Sequence, residues 1–259
     1  MIRVLKPVVL LVQLFATLFL VAMAASAATE IPDGTVLPVR LTKTLSSKNA
    51  RPGQLISARV MQDVPLPSFG RIKAGAMLFG KVTSVEPASS DGGGSISIRF
   101  ETLRVPHENV RVTIHLRAVA SYLEVHHAQI PLMGADSGTP ERIWTTVQIG
   151  GDVVHRGSGH VENRMGRVGE PVDNGVLGRL DANPGRGCRG DTTGERPQAL
   201  WLFSSDACGA YGFSHLVIAH AGRTDPVGEI TLHSEKGDVN VGGGSGMLLR
   251  VYAPENPGA

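Results

Sequence analysis

The sequence predicts a mainly β protein, with a barrel-like or sandwich-like N-terminal unit of antiparallel strands and a C-terminal β region. Glycine and proline are abundant, at 32 and 16 of 259 residues, whereas aromatic residues make up only 5%. Such a composition favours short strands with many turns over long helices. Several segments also alternate apolar and polar residues with a period of two, which is the pattern of a strand with one buried face.

Residues 1–27 have the features of a secretory signal peptide. Arg3 and Lys6 precede an apolar run over residues 8–23, and the small residues Ala25 and Ala27 follow it. This order is typical of a cleaved export signal with an A-x-A site. The alternative is an uncleaved signal, through which alone the protein would then contact the membrane.

Residues 28–120 are predicted to form a β-barrel-like domain. Pro38 places its first strand at an edge or a bulge, because proline cannot donate to a ladder. Pro52 and Gly53 fit the central positions of a type II turn, where glycine supplies the positive φ. The predicted strands are Thr35–Leu41, Gln54–Val64, Ile72–Val85, Ser95–Val105 and Asn109–Val119.

Two of these strands carry informative patterns. In Ser95–Val105 the alternation slips by one residue between Phe100 and Leu103, and such a slip predicts a β-bulge. In Asn109–Val119 one face is predicted to be core and the other to be in water. The core face holds Val110, Val112, Ile114 and Leu116, and the water face holds Arg111, Thr113, His115 and Arg117.

The second half of the sequence divides into three parts. Residues 121–138 are predicted to be a helical connector and loop, since apolar residues recur there at helical spacing up to Pro131. Residues 139–254 are predicted to be a C-terminal β region with an irregular segment at 158–197, which is rich in Gly and Arg and poor in apolar residues. Residues 255–259 form a tail.

The first half resembles the β-barrel domain of the conjugal-transfer and type IV secretion channel subunits that form an outer-membrane core ring. The resemblance implies a β-barrel fold and assembly of copies into a ring. It covers about residues 31–120 and 244–253, and the matching stretches are "GTVLPVRLTKTLSS" (Gly34–Ser47), "ARPGQLISARV" (Ala50–Val60), "IKAGAMLFGKV" (Ile72–Val82), "SISIRFETLRVP" (Ser95–Pro106) and "GSGMLLRVYA" (Gly244–Ala253).

Charge and motifs argue against several classes of ligand. The predicted signal carries two of the 25 basic residues and none of the 23 acidic ones, so the mature chain is formally neutral and no nucleic-acid partner is predicted. "GRGCRG" (Gly185–Gly190) spells a dinucleotide fingerprint without the strand and helix that it requires, so no cofactor is predicted. The nine histidines show no spacing typical of metal ligands, and no metal site is predicted.

The two cysteines, Cys188 and Cys208, are predicted to form a disulfide, because the predicted signal sends them to an oxidising compartment. The alternatives are a Cys208 nucleophile with His215 as its base, and cysteines that stay unpaired or pair between molecules. The disulfide would join the irregular segment to the aromatic-rich stretch Ala199–Phe213.

The sequence therefore predicts an exported binding or structural protein of the cell envelope, without catalytic residues, and with an envelope protein or cell-wall component as its partner. One alternative is an envelope hydrolase with a site between Ser204 and His215. Its catalytic residues would be Ser204 or Ser205, Asp206 and His215, oriented by Asp152 or Asp225. Another alternative is a reduced secretion-channel-like subunit that forms homo-oligomeric rings.

Overall fold

The chain is built from short strands, as the composition predicts. The computed structural model describes residues 31–67, 70–90, 92–106, 108–132, 145–155, 159–182, 188 and 196–252. The predicted signal peptide and the 255–259 tail lie outside them. The strands are β1 (Val36–Leu41), β2 (Leu45–Ser46), β3 (Leu55–Val60), β4 (Val64–Leu66), β5 (Gly70–Ile72), β6 (Met77–Glu86), β7 (Ser95–Val105), β8 (Glu108–Arg111), β9 (Thr113–Ala120), β10 (Thr145–Val147), β11 (Val153–His155), β12 (Val161–Asn163), β13 (Gly166–Val172), β14 (Gly175–Gly178), β15 (Gln198–Ala199), β16 (Gly209–Tyr211), β17 (Leu216–Ala221), β18 (Glu229–Ser234), β19 (Asn240–Val241) and β20 (Gly246–Tyr252).

Ten strands form the main sheet. Their order is β16-β9-β20-β1-β3-β6-β7-β18-β17, with β8 pairing to β7 off this path. The pairs are antiparallel except for β16 and β9, which are parallel. Strands from both predicted β regions share this sheet, since β16, β17, β18 and β20 come from residues 139–254.

The placement of the first strand at an edge or bulge is wrong, because β1 lies inside the main sheet between β20 and β3. Pro38 is tolerated there for a local reason. The Val36 N–H points away from β20 and donates to Gln198 Oε1 at 3.2 Å, and the Pro38 nitrogen points to the same side two residues later. The ladder to β3 begins only at Val39, so proline removes no ladder bond.

The local predictions at the turn and the bulge are confirmed. Gly53 has a φ of 85°, and the Gln54 N–H donates to the Arg51 carbonyl at 3.0 Å, as a type II turn requires. In the β6–β7 ladder, Phe79 pairs with Thr102 and Gly80 with Phe100. Glu101 is therefore the extra residue of a β-bulge, at the point where the alternation slips.

A second sheet of six strands runs in the order β10-β11-β12-β13-β14-β15. The prediction of an irregular segment at 158–197 is wrong for residues 161–178, which form β12, β13 and β14. β12 and β14 bury one apolar side chain each, Val161 and Val176, and β13 buries none, so ladder hydrogen bonds supply much of their order. A pattern based on apolar content therefore misses them. Residues 183–187 and 189–195 lie outside the described residues.

Two apolar clusters explain how the layers pack. Leu37 and Val39 of β1 belong to a cluster on the inner face of the main sheet. Val36 of β1 and Leu248 of β20 belong to a second cluster, which also holds buried residues of the second sheet. The second sheet is thus stacked on the outer face of β9, β20 and β1, and the predicted mainly β, sandwich-like class is confirmed.

The helical connector is short. Helix α1 spans Tyr122–His127, and the Ser121 hydroxyl caps it by accepting from the Glu124 N–H at 3.2 Å. The other apolar residues of the predicted pattern lie outside the helix, Val119 in β9 and Ile130 in the turn that follows. The segment 133–138 lies outside the described residues.

The main sheet curls until its two terminal strands, β16 and β17, face each other. The turn after β17 packs against the start of β9, where a Cβ on Gly228 would lie 3.0 Å from Thr113 Cγ2. No ladder joins β16 to β17 among the described strands. The curled sheet therefore keeps an open seam between β9 and β16 on one side and β17 on the other.

Candidate functional site

Ser204, Ser205 and Asp206 lie between β15 and β16, in a segment packed on the second sheet. Both serines are buried. The Ser204 hydroxyl donates to Asp206 Oδ1 at 2.6 Å, and the Ser204 N–H donates to the Ile149 carbonyl at 2.8 Å. These bonds fix the segment to the loop between β10 and β11.

Asp152 joins the same cluster from that loop. Its Oδ2 accepts the Ser205 N–H at 2.7 Å, and Asn163 Nδ2 lies 3.5 Å from the Ser205 hydroxyl. Burial raises the pKa of the Asp152 carboxyl above its ordinary value, and hydrogen bonds from Ser205 offset this only in part.

The structure does not bring His215 or Asp225 to this cluster. His215 is exposed just before β17, and its carbonyl accepts from the Glu235 N–H at 2.9 Å. Asp225 is exposed in the turn between β17 and β18. Within the described residues, the side-chain partners of the two serines are Asp206, Asn163 and Asp152, so the cluster has the bonding of a structural anchor and not of a serine–histidine pair.

Replacing Asp152 with asparagine is expected to change how stability depends on pH. A carboxyl whose pKa is raised in the folded state favours the protonated native form, so its contribution falls as pH rises from the unfolded pKa through the folded pKa. The Asp152→Asn side chain can still accept from Ser205 and carries no charge. The stability of the variant relative to wild type should therefore grow between pH 3 and pH 7, measured by urea denaturation. A stability difference between variant and wild type that stays constant or shrinks over this range would contradict burial of a charged Asp152. Asp63 and Asp238 have lowered pKa values, but they are present in both proteins and do not affect the difference.

The predicted disulfide is formed. Cys188 and Cys208 are bonded with their Cα atoms 6.0 Å apart, and both are buried. The Cys208 N–H also donates to the Tyr211 hydroxyl at 3.0 Å. The bridge holds Cys188 against β9 and β16, at one wall of the seam.

Removal of the disulfide, in the double variant Cys188→Ser and Cys208→Ser, is expected to lower the free energy of unfolding by about 3 kcal/mol, the chain-entropy value for a loop of this size. Urea denaturation with and without reductant measures it. The reductant should destabilise wild type by a similar amount and leave the variant unchanged. Equal stability of oxidised and reduced wild type would contradict a stabilising role for the bridge.

A cleft of about 580 Å³ opens along the seam of the main sheet, and we call it the seam cleft. Its two walls are mainly strands. One wall is Leu116 and Arg117 of β9, with the disulfide and the first residues of β16, and the other wall is Leu216–Ala221 of β17. Arg223 and Thr224 lie at the end where β17 turns into β18.

Arg117 is a fully buried arginine in the wall of the seam cleft. In the ladder to β20, Ala118 pairs with Leu248 and Leu116 with Leu249, so Arg117 is the extra residue of a β-bulge. Its guanidinium donates to the carbonyls of Ala207 at 2.9 Å and Asp181 at 2.7 Å. A buried guanidinium needs such acceptors, and here they attach the disulfide-bearing segment to the main sheet.

The prediction that one face of this strand lies in water is wrong for His115 and Arg117, which are 6% and 0% exposed. The outer face of β9 is covered by the segment that contains Ala207 and Cys208. Alternation of apolar and polar residues shows that the two faces of a strand differ. It does not show whether another segment covers the polar face. Sequence reasoning missed Arg117 for this reason.

His220 and Thr224 form a hydrogen-bonded pair at the far end of the seam cleft. His220 Nε2 lies 3.0 Å from Thr224 Oγ1, and His220 Nδ1 lies 2.6 Å from the Glu229 carbonyl. The carbonyl can only accept, so Nδ1 carries the proton and Nε2 accepts from the threonine hydroxyl. The Gly222 N–H lies 3.2 Å from the same Nδ1, and a protonated Nδ1 cannot accept from it. The bonds to the Glu229 carbonyl and to Thr224 therefore close the turn between β17 and β18.

Comparison of the chain with protein-family models, with curated proteins and with solved structures found no match. The resemblance to secretion-channel subunits therefore stays a prediction. The helix among the described residues is too short to cross a membrane. The part of the chain that the structure describes also contains no group of three or more His, Cys, Asp or Glu residues placed to hold a metal ion.

Proposed function

We propose that this chain is an exported, non-catalytic protein of the cell envelope that binds a ligand in the seam cleft. The disulfide supports export, because such bonds persist in oxidising compartments. The predicted signal peptide supports the cell envelope as the location of the protein.

The observation that carries this proposal is the seam cleft itself. Ligand sites in curled and barrel-like sheets commonly lie in openings lined by apolar side chains with a few polar groups. The seam cleft has this character, since Leu116, Leu216 and Ile218 line it together with Arg117 and Arg223. The disulfide and the Arg117 hydrogen bonds stiffen one wall, which reduces the ordering cost of binding.

Site-specific photocrosslinking tests where the ligand binds. Val217 lines the seam cleft, and Val172 lies on the second sheet, and both are 38% exposed. A photocrosslinking amino acid at Val217, in the protein as exported by its host, should give discrete adducts of constant mass. The same amino acid at Val172 is the matched control and should give none. No adduct at Val217, or equal adducts at both positions, would overturn the proposal.

The absence of catalysis is tested at the His220–Thr224 pair, because a hydroxyl bonded to a histidine is also the arrangement of an activated nucleophile. We expect no labelling of the protein by a fluorophosphonate probe, since the ring closes a turn. Labelling of wild type that is lost in Thr224→Val would contradict the non-catalytic proposal and would place a hydrolytic site in the seam cleft.

A further inference from the structure

The outer face of the main sheet is covered over only part of its width. The second sheet and the segment around Trp201 cover β9, β20 and the first half of β1. Farther along the strand order, Arg59 of β3, Lys81 of β6 and Arg104 of β7 are exposed. Each is next in sequence to a residue of the inner cluster, so all three point to the outer side. The described part of the second sheet leaves this surface bare.

Three arginines on this surface lie in one row across the strands. Arg40 of β1 pairs with Arg59, Arg59 pairs with Met77 of β6, and Met77 pairs with Arg104. Neighbouring strands are about 4.8 Å apart, so the row is about 14 Å long. Arg111 of β8 adds a fourth arginine in the next row. We call these four arginines the basic face.

A second like-charged pair on the same surface shows how the protein balances such charges. Lys81 and Arg99 lie directly opposite each other in the β6–β7 ladder. Lys81 Nζ lies 2.8 Å from Glu101 Oε1, and Arg99 Nη2 lies 3.6 Å from Glu229 Oε2. Like charges directly opposite each other destabilise a sheet. Here each of the two cations has its own carboxylate.

The basic face lacks such carboxylates. Within the described residues, no acidic side chain forms an ion pair with any of its four arginines. Arg104 instead lies 3.4 Å from Asn109 Oδ1 and 4.6 Å from the centre of the Phe79 ring. Arg40 and Arg59 are therefore directly opposite like charges that no described carboxylate balances. An anion between the two guanidiniums would remove their repulsion and accept their N–H groups.

The surroundings of the basic face favour one kind of anion. Guanidinium groups bind phosphate and carboxylate oxygens through two parallel hydrogen bonds. Leu55, on the same side of β3, is 82% exposed, and an exposed apolar side chain beside cations fits the boundary between lipid headgroups and acyl chains. The strip from β1 to β8 and from Leu55 to Arg59 measures roughly 19 Å by 13 Å. A stable protein interface takes about 800 Å² from each partner, so the strip fits headgroups better than a protein.

We propose that the basic face is a binding site for the phosphate groups of anionic phospholipids, through which the exported protein docks on a membrane surface. Arg40 and Arg59 bind one headgroup, and Arg104 and Arg111 attract its neighbours. The contact is peripheral and does not need an inserted signal peptide. It lies apart from the seam cleft, whose walls belong to β9, β16 and β17, so it goes beyond the proposed function.

Co-sedimentation with vesicles tests this proposal on the protein as exported by its host. Wild type should bind vesicles of equal parts phosphatidylglycerol and phosphatidylcholine more tightly than vesicles of phosphatidylcholine alone, and about 0.5 M NaCl should remove the difference. Arg40→Gln and Arg59→Gln should each weaken binding about fivefold, the contribution of one cation near an anionic surface. Arg164→Gln, in the exposed turn between β12 and β13, is the matched control and should bind like wild type.

A stability measurement shows that the two variants fold. Each removes a repulsion and no hydrogen bond or ion pair within the described chain, so at low ionic strength Arg40→Gln and Arg59→Gln should be at least as stable as wild type. Urea denaturation measures this. A clear loss of stability in either variant would show that the pair is balanced inside the protein and would overturn the proposal.

Three binding results would also overturn the proposal. The first is equal binding of wild type and the two variants to phosphatidylglycerol vesicles. The second is binding of poly-glutamate without binding of these vesicles, which would assign the basic face to an acidic protein segment. The third is binding of free glycerol phosphate without binding of vesicles, which would assign it to a soluble phosphate ester. Adducts at Val217 depend on none of these results, so this proposal and the proposed function fail separately.

Discussion

Replacement of Gln62 with leucine is expected to lower the free energy of unfolding by about 3 to 5 kcal/mol. Gln62 is fully buried and connects the two sheets through backbone groups. Its Oε1 accepts from the Trp201 N–H at 2.7 Å and the Val176 N–H at 3.2 Å, and its Nε2 donates to the Val176 carbonyl at 2.9 Å. Leucine would remove the acceptor of two backbone N–H groups, at about 1 to 3 kcal/mol each. It would also remove one of two bonds to the Val176 carbonyl, which keeps the Leu200 N–H at 2.9 Å.

Gln54 provides the matched control, because it is exposed and, within the described part of the chain, its side chain accepts one bond, from the Arg51 N–H at 3.3 Å. Gln54→Leu should change the free energy of unfolding by less than about 0.5 kcal/mol. Urea denaturation at neutral pH measures both variants. Similar losses in the two would show that Gln62 does not hold the sheets together.

Replacement of Trp201 with alanine is expected to cost a similar amount, about 3 to 5 kcal/mol, through the loss of a large buried side chain. The indole is 4% exposed and packs edge-on to Phe203, with the ring centres 6.4 Å apart. Gly246 of β20 makes room for it, since a Cβ there would lie 3.2 Å from the Trp201 ring. The side chain therefore fills the space between the main sheet and the segment above it.

Leu123→Ala is the control for loss of a large apolar side chain, because Leu123 is 61% exposed on α1. It should cost less than about 1 kcal/mol in the same urea titration. Limited proteolysis of Trp201→Ala should also cut the second sheet before the main sheet, since the lost contacts lie between them. A loss no larger than that of Leu123→Ala would contradict the packing role.

The features that could be predicted from the sequence depend on neighbours in the chain. The type II turn at Pro52 and Gly53 and the bulge at Glu101 follow from a few adjacent residues. The disulfide follows from a count of two cysteines and a predicted export signal. Each of these needs little knowledge of which distant segments meet.

The features that could not be predicted depend on distant contacts. Gln62 meets Val176 across 114 positions, and Arg117 meets Ala207 across 90. In a strand pattern, a glutamine or an arginine predicts a solvent-exposed face. These two side chains are buried because a second layer covers them, and the pattern does not show that layer. The seam cleft could not be predicted for the same reason. Its two walls come from opposite ends of the strand order of the main sheet, and the alternation of apolar and polar residues does not reveal that the sheet curls.

The position of β20 has a consequence for the order in which the protein can fold. β20 is the last of the described strands in sequence, yet it lies between β9 and β1 inside the main sheet. Until Gly246–Tyr252 are in place, β9 and β16 have no ladder to the other strands of that sheet. The main sheet is therefore incomplete until this strand has formed. β17 is joined to β1 through β18, β7, β6 and β3 without it, whereas the β9 wall of the seam is attached to the sheet only through β20. Such long-range pairing makes folding slow, and until it is complete the edges of β9 and β1 that face β20 lack a partner strand.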